Sequence, residues 1–151
     1  MGKINQFLDK IAGQSIYIDT NLFIYFLDHN TEFFSISAEI LAATEQGKIF
    51  AFTGDITVAE TLVKPYQIND LSLISAVKSF FFADNFLSII PHDSATFDLS
   101  AQVRAKYSMK FADALHYATA IKSGCEIFIT NDKGIRSTNE IDVILIKDLL
   151  E

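Results

Sequence analysis

The chain has 151 residues, half of them hydrophobic, with 14 Phe, one Cys and three His. That length predicts a single domain spanning residues 1–151 with a sizeable core. One cysteine and three scattered histidines exclude a disulfide framework and a zinc framework. No 18-residue apolar run and no leader-like start are visible, because Asp9 and Lys10 interrupt the first apolar stretch, so a cytoplasmic protein with no membrane partner is expected. A net charge of −7 argues against a nonspecific nucleic-acid binder. It argues less against a nuclease whose clustered acids hold divalent cations, since two Mg²⁺ would neutralise four carboxylates.

In chain order, residues 3–12 read as a short amphipathic helix, with Ile4, Phe7, Leu8 and Ile11 at helical spacing and Gly13 as its stop. Residues 15–19 read as a buried strand ending on Asp19, and residues 21–28 as a helix. Residues 35–46 form a helix capped by Ser35 or Ser37 and stopped by Gly47. Residues 49–53 are the second strand. Residues 56–63 form a helix carrying Glu60, with Pro65 beyond it. Asn69 is expected to cap a helix reaching about Phe82, in which Phe80, Phe81 and Phe82 cannot all point inward.

Residues 86–90 read as the third strand, ended by Pro91. Asp93 starts a helix to about Lys106, and residues 111–123 make another before Gly124. Residues 127–130 are the fourth strand, 131–139 a loop, 143–146 the fifth strand, and the last residues a helical turn. Strands alternating with helices predict an α/β fold with a mostly parallel sheet and helices on both faces.

Four acids stand at places where such a sheet binds ligands. Asp19 follows strand one and Asp132 follows strand four, so the two would flank the switch point if those strands are neighbours. Glu60 sits on the helix after strand two, and Asp113 opens a later helix. Each has a plainer reading. Asp19 could cap a helix; Glu60 could pair with Lys64 four residues on; Asp113 could answer the helix dipole; Asp132 could be a turn residue. Carboxylates brought together repel unless a cation compensates them. Mg²⁺ and Mn²⁺ prefer oxygen ligands and promote phosphodiester hydrolysis. Thr130 and Asn131, beside Asp132, could orient a ligand.

These segments resemble the PIN-domain family, and most closely its VapC-type toxin ribonucleases. The matching residues are Ile18-Asp19-Thr20-Asn21, Ile56-Thr57-Val58-Ala59-Glu60, Arg104-Ala105-Lys106-Tyr107, Asp113-Ala114-Leu115-His116-Tyr117-Ala118-Thr119-Ala120 and Ile129-Thr130-Asn131-Asp132-Lys133. The resemblance implies a three-layer α/β/α fold around a five-stranded sheet. It implies Mg²⁺ or Mn²⁺ held by Asp19, Glu60, Asp113 and Asp132, with Asn21 and Thr130 in support. It implies a metal-dependent endoribonuclease acting on RNA, a homodimer, and a cognate antitoxin protein. Two departures stand out: residues 3–13 precede the usual start, and Ala112 stands where a proline often precedes the third acid.

His116 is expected to be a structural or surface residue, Arg104 and Lys110 to reach RNA phosphates or remain solvated, and the 69–82 helix to serve core and partner contacts. An aspartyl-nucleophile phosphatase would carry a second Asp at position 21, where this chain has Asn21. The same residues would also suit a catalytically silent interaction module of this fold, or an RNA-processing nuclease outside any toxin–antitoxin pair.

Overall fold

The structure, a computed structural model, describes residues 2–83 and 85–151. Its elements are α1 (Lys3–Lys10), β1 (Ser15–Ile18), α2 (Thr20–Leu27), α3 (Phe34–Glu45), β2 (Phe50–Gly54), α4 (Asp55–Gln67) and α5 (Leu71–Phe82). These are followed by β3 (Ser88–Ile90), α6 (Ser94–Tyr107), α7 (Phe111–Lys122), β4 (Ile127–Thr130), β5 (Asp142–Leu145) and a closing 3₁₀ turn, Ile146–Leu149. The five strands run in the order β3-β2-β1-β4-β5, and every pairing is parallel. The chain thus leaves β1 in one direction through β2 and β3, and returns to its other side as β4 and β5. The switch point lies between β1 and β4.

Alternation along the strands sorts side chains between the two helical layers. Ile16, Ile18, Ile127 and Ile129 point to one face, where Leu8, Leu22, Phe23, Ile40, Val77 and Phe81 complete the larger core. Tyr17 and Phe128 point to the other, against Val103, Ala114, Tyr117 and Ala120 of α6 and α7. β1 and β4 are the sheet's most buried strands, with Ile18, Phe128 and Ile129 all fully enclosed.

The N-terminal helix belongs to this core. Ile4 and Leu8 of α1, with Ile11 just beyond it, are buried. They join the larger core with Ile36 and Ile40 of α3 and with Leu149 of the 3₁₀ turn. Exposed ties add to it: Lys48 pairs with Asp9, and the Lys3 amide donates to the Glu151 carboxylate at 2.8 Å.

Two local expectations are corrected. The helix after β2 does not stop before Pro65. It runs to Gln67 with Pro65 inside it: proline's fixed φ is compatible with a helix, at the cost of its own bond to the carbonyl four residues back. The bonds of Ile68 to Lys64, Asn69 to Tyr66 and Asp70 to Pro65 then close the end. Nor does Asn69 cap α5. Asn69 takes a left-handed φ of 53°, and Asp70 is the cap, accepting from the Leu73 amide at 3.0 Å. Of the three consecutive phenylalanines, Phe81 is buried and Phe80 half-buried among Phe23, Phe26 and Phe86, while Phe82 is exposed.

Candidate active site

Asp19, Glu60, Asp113 and Asp132 all line one cavity of about 330 Å³, together with Thr20, Asn21, Ile24 and His116. The topology accounts for the gathering. Asp19 follows β1, and its amide donates to Ile129 of β4 at 3.0 Å. Its Oδ1 accepts the Thr20 amide at 2.8 Å and its Oδ2 the Thr130 hydroxyl at 2.6 Å. Asp19 therefore does cap α2, and it is also buried against the cavity, 6% exposed. Thr130 in turn accepts the Asp132 amide at 2.9 Å, and Asp132 Oδ1 accepts the Gly134 amide at 2.8 Å. This is the local Asx geometry expected of a turn aspartate. A Cβ on Gly134 would stand 3.1 Å from Asp132 Oδ1 and 3.5 Å from Asp113 Oδ2, so that loop passes close to both acids.

Glu60 comes from the middle of α4. Lys64 lies 3.8 Å from Asp28 rather than in a pair with Glu60. Glu60 Oε1 instead accepts the Thr20 hydroxyl at 2.7 Å and faces His116 Nε2 at 2.8 Å. Burial pushes the Glu60 carboxyl up, but the hydrogen bonds from His116 and Thr20 outweigh it and hold the group below its usual range. The converse holds for His116. Burial pushes the imidazole down, while the bond to Glu60 and the charges of Asp19, Glu60 and Asp113 outweigh it and raise it.

Asp113 has no hydrogen bond from His116, whose charge lowers it less than its other neighbours raise it. Burial raises its carboxyl, followed by the hydrogen bond and charge of Asp132 and the charge of Asp19, to about 7. The cavity is therefore electrostatically lopsided. Its Glu60 side is compensated by His116, and its Asp113–Asp132 side is short of positive charge.

Among the described residues, no three His, Cys, Asp or Glu side chains already close on a single point as metal ligands would. The donor set nevertheless fits a hard divalent cation. It is an oxygen-rich wall, one carboxyl of which is pushed up to about 7 by burial and by its neighbouring acids, and the buried Asn21 Oδ1 has no hydrogen-bond partner among the described residues.

The remaining sequence candidates distribute as follows. Asn21 lines the cavity and donates to Thr130 at 3.4 Å. Asn131 turns away: its amide donates to the Tyr25 hydroxyl at 3.1 Å and accepts from the Lys147 amide at 2.8 Å. It holds the loop after β4 to α2 and to the 3₁₀ turn rather than facing a ligand. Arg104 lies in a separate cleft of about 520 Å³ between α6 and α7, with Phe97 and Phe111, and donates to the Met109 carbonyl at 3.3 Å. Lys110 is exposed at the start of α7.

His116 is not a surface residue. It is 1% exposed and stands in the acidic wall. Thr20 is a further site residue that the sequence pattern does not single out. The signal available for His116 is its spacing: three residues beyond Asp113 on one helix, it must share that acid's face.

No curated protein matches the chain by sequence. Solved structures match its fold. The VapBC2 complex of Rickettsia felis, bound to a DNA fragment from its promoter, is 15% identical over 87% of this chain and 98% of that one, with a TM-score of 0.65. A toxin–antitoxin complex from Klebsiella pneumoniae is 21% identical over 87% and 97%, with a TM-score of 0.62. The Sarcin-Ricin loop cleaving toxin VapC20 of Mycobacterium tuberculosis is 12% identical over 75% and 86%, with a TM-score of 0.62. The PIN domain model matches residues 16–141, from β1 to just before β5, and the chain therefore belongs to the PIN domain family.

Proposed function

We propose that the chain is a divalent-metal-dependent endoribonuclease, the toxin of a toxin–antitoxin pair, and that Asp19, Glu60, Asp113 and Asp132 are its metal-holding acids. The observation that carries this reading is the convergence of four acids on one cavity, whose Asp113–Asp132 side lacks the imidazole that partners Glu60. A wall of that kind suits a ligand of high positive charge. Oxygen donors select Mg²⁺ or Mn²⁺ over softer ions. When bound, such a cation supplies an activated water and offsets the charge that builds on a phosphodiester at cleavage.

The chain's own residues have distinct tasks in this reading. Asp19 is immobilised by Thr20 and Thr130 and offers its remaining lone pairs to the cavity. Asn21 Oδ1 is the acceptor available to a cation's hydration shell or to a hydroxyl of the substrate. Asp113, pushed up to about 7 by burial and by Asp132, is an acid whose ionisation a bound cation would favour. RNA as substrate, an antitoxin protein as partner and a homodimer as assembly follow from the family resemblance. The antitoxin partner is supported by fold neighbours that are toxin–antitoxin complexes, and the nuclease reading by a neighbour that is a Sarcin-Ricin loop cleaving toxin. A single domain and a cytoplasmic location complete the proposal. Among the described residues, no helix is long and apolar enough to cross a membrane.

The test uses purified, antitoxin-free protein and a panel of structured RNAs, with Mn²⁺, with Mg²⁺ and with EDTA, beside Asp19→Asn. Cleavage that requires the metal and disappears in the variant is the expected result. Mn²⁺ binding without cleavage of any RNA would leave a nuclease selective for a target outside the panel. Neither binding nor cleavage would replace the proposal with a silent interaction module.

A further inference from the structure

A chain of hydrogen bonds runs from the centre of the sheet to Glu60. Tyr17 is fully buried on β1, with its ring stacked on Phe128 at 5.0 Å. Its hydroxyl lies 2.7 Å from His116 Nδ1. On the other side of the same imidazole, Nε2 lies 2.8 Å from Glu60 Oε1 and 3.4 Å from Asp19 Oδ1. The oxygens decide where the ring proton sits. A lone pair on Nε2 would face the lone pairs of two carboxylates, so Nε2 is the donor, whether or not Nδ1 also carries a proton. Tyr17 satisfies Nδ1 in either case, since a phenol hydroxyl both donates and accepts.

The second restraint on Glu60 is the Thr20 hydroxyl, which donates to the same Oε1 at 2.7 Å. Both bonds fall on one oxygen. Oε2 has no hydrogen-bond partner among the described residues and is the oxygen left for the cavity. Glu60 reaches that wall from α4 through a flexible, partly exposed side chain, and its position is set by partners on α2 and α7.

We infer that His116, braced by Tyr17, is a positioning residue: it holds Glu60 through Oε1 and presents Oε2 to the acidic cavity. Its consequence for metal binding rests on the proposed divalent-cation site, whereas the tie itself does not. Partners that orient ligating carboxylates commonly matter about 10- to 100-fold in metal affinity.

Three variants test it. His116→Gln keeps an N–H donor where Nε2 stands, His116→Leu keeps bulk without a donor, and Tyr17→Phe removes one hydroxyl. Mn²⁺ affinity is measured by titration calorimetry. His116→Leu is expected to lose about 10-fold or more, His116→Gln to recover most of it, and Tyr17→Phe to fall between. In RNA cleavage the loss should appear in kcat, with KM for RNA little changed. Equal affinities for the Gln and Leu variants, or parent-like affinity in the Leu variant, would overturn the inference.

A ¹⁵N spectrum of the parent imidazole without metal is the second measurement. A protonated Nε2 is expected, and a lone pair there would break the tie whatever the protein binds. Should the parent bind no Mn²⁺, the functional reading fails, and the spectrum still decides the tie.

Discussion

Thr130 joins the first acid to the fourth. Its hydroxyl donates to Asp19 Oδ2 at 2.6 Å and accepts the Asp132 amide at 2.9 Å, so one fully buried oxygen sets the spacing across the switch point. Replacing it by valine keeps the shape and strands both partners. Thr130→Val is expected to cost about 1–3 kcal/mol in urea unfolding, the range for leaving buried polar groups unpaired. It should also weaken Mn²⁺ binding. Thr130→Ser keeps the hydroxyl and should stay near the parent in both measurements. A valine variant with parent-like stability would show that water replaces the hydroxyl.

Gly134 separates stability from site geometry. Its φ is not in the left-handed region, so alanine fits its backbone, and the change should be neutral or stabilising by up to about 1 kcal/mol. The new methyl would nevertheless stand 3.1 Å from Asp132 Oδ1, tight enough to move that carboxylate by a few tenths of an ångström. Gly134→Ala should therefore keep or raise the melting temperature while lowering Mn²⁺ affinity and RNA cleavage. If affinity is unchanged, Asp132 does not depend on its present position.

The strands are legible in the sequence because β1 and β4 are buried on both faces and so read as short apolar runs; β4 agrees residue for residue at Ile127–Thr130. The acids stand out by their places after those strands. Sequence and structure part where one residue's usual effect loses to its neighbours. Pro65 does not end its helix, because its fixed φ suits the helical backbone and the bonds of Ile68, Asn69 and Asp70 close the turn around it. Asn69 takes the positive φ, leaving the cap to Asp70. His116 is hardest to place, because its character is set by Tyr17 from β1 and Glu60 from α4, 99 and 56 residues away along the chain. Local spacing can put His116 on the face of Asp113, but the partners that bury it come only with the fold.

The helix before β1 is predicted to act on stability alone. Leu8 is 5% exposed in the core shared by α1, α3 and the 3₁₀ turn, on the sheet face opposite α6 and α7. Leu8→Ala should cost about 2–4 kcal/mol by the usual penalty for a buried leucine. Mn²⁺ affinity measured well below the lowered melting temperature should not change. A matching loss of affinity would mean that α1 also shapes the cavity.

The pH dependence of the metal-free protein reports Asp113. Its carboxyl lies at about 7 in the fold, against 3.8 as the reference, because of burial first and then Asp132 and Asp19. Between those values the folded state holds a proton that the unfolded chain has released. That stabilising contribution is complete below 3.8 and is lost as pH rises to about 7. His116, also raised, works in the same sense: its contribution is present below 6.5 and lost as pH rises through its folded value. Glu60 is lowered, so its contribution is lost only as pH falls below the ordinary carboxylate range, outside the interval concerned. His92, lowered chiefly by burial, works in the opposite sense, losing stability as pH falls below 6.5, so the melting temperature by calorimetry should fall most clearly above about pH 6.5. Asp113→Asn mimics the protonated acid at every pH, so it should flatten part of that slope and melt higher than the parent at the alkaline end. Mn²⁺ should reverse the order there by stabilising the parent more. Its binding near pH 6 should release protons, visible as a dependence of the measured heat on the buffer's ionisation enthalpy. Parallel slopes for parent and variant would mean that Asp113 is already ionised in the metal-free cavity.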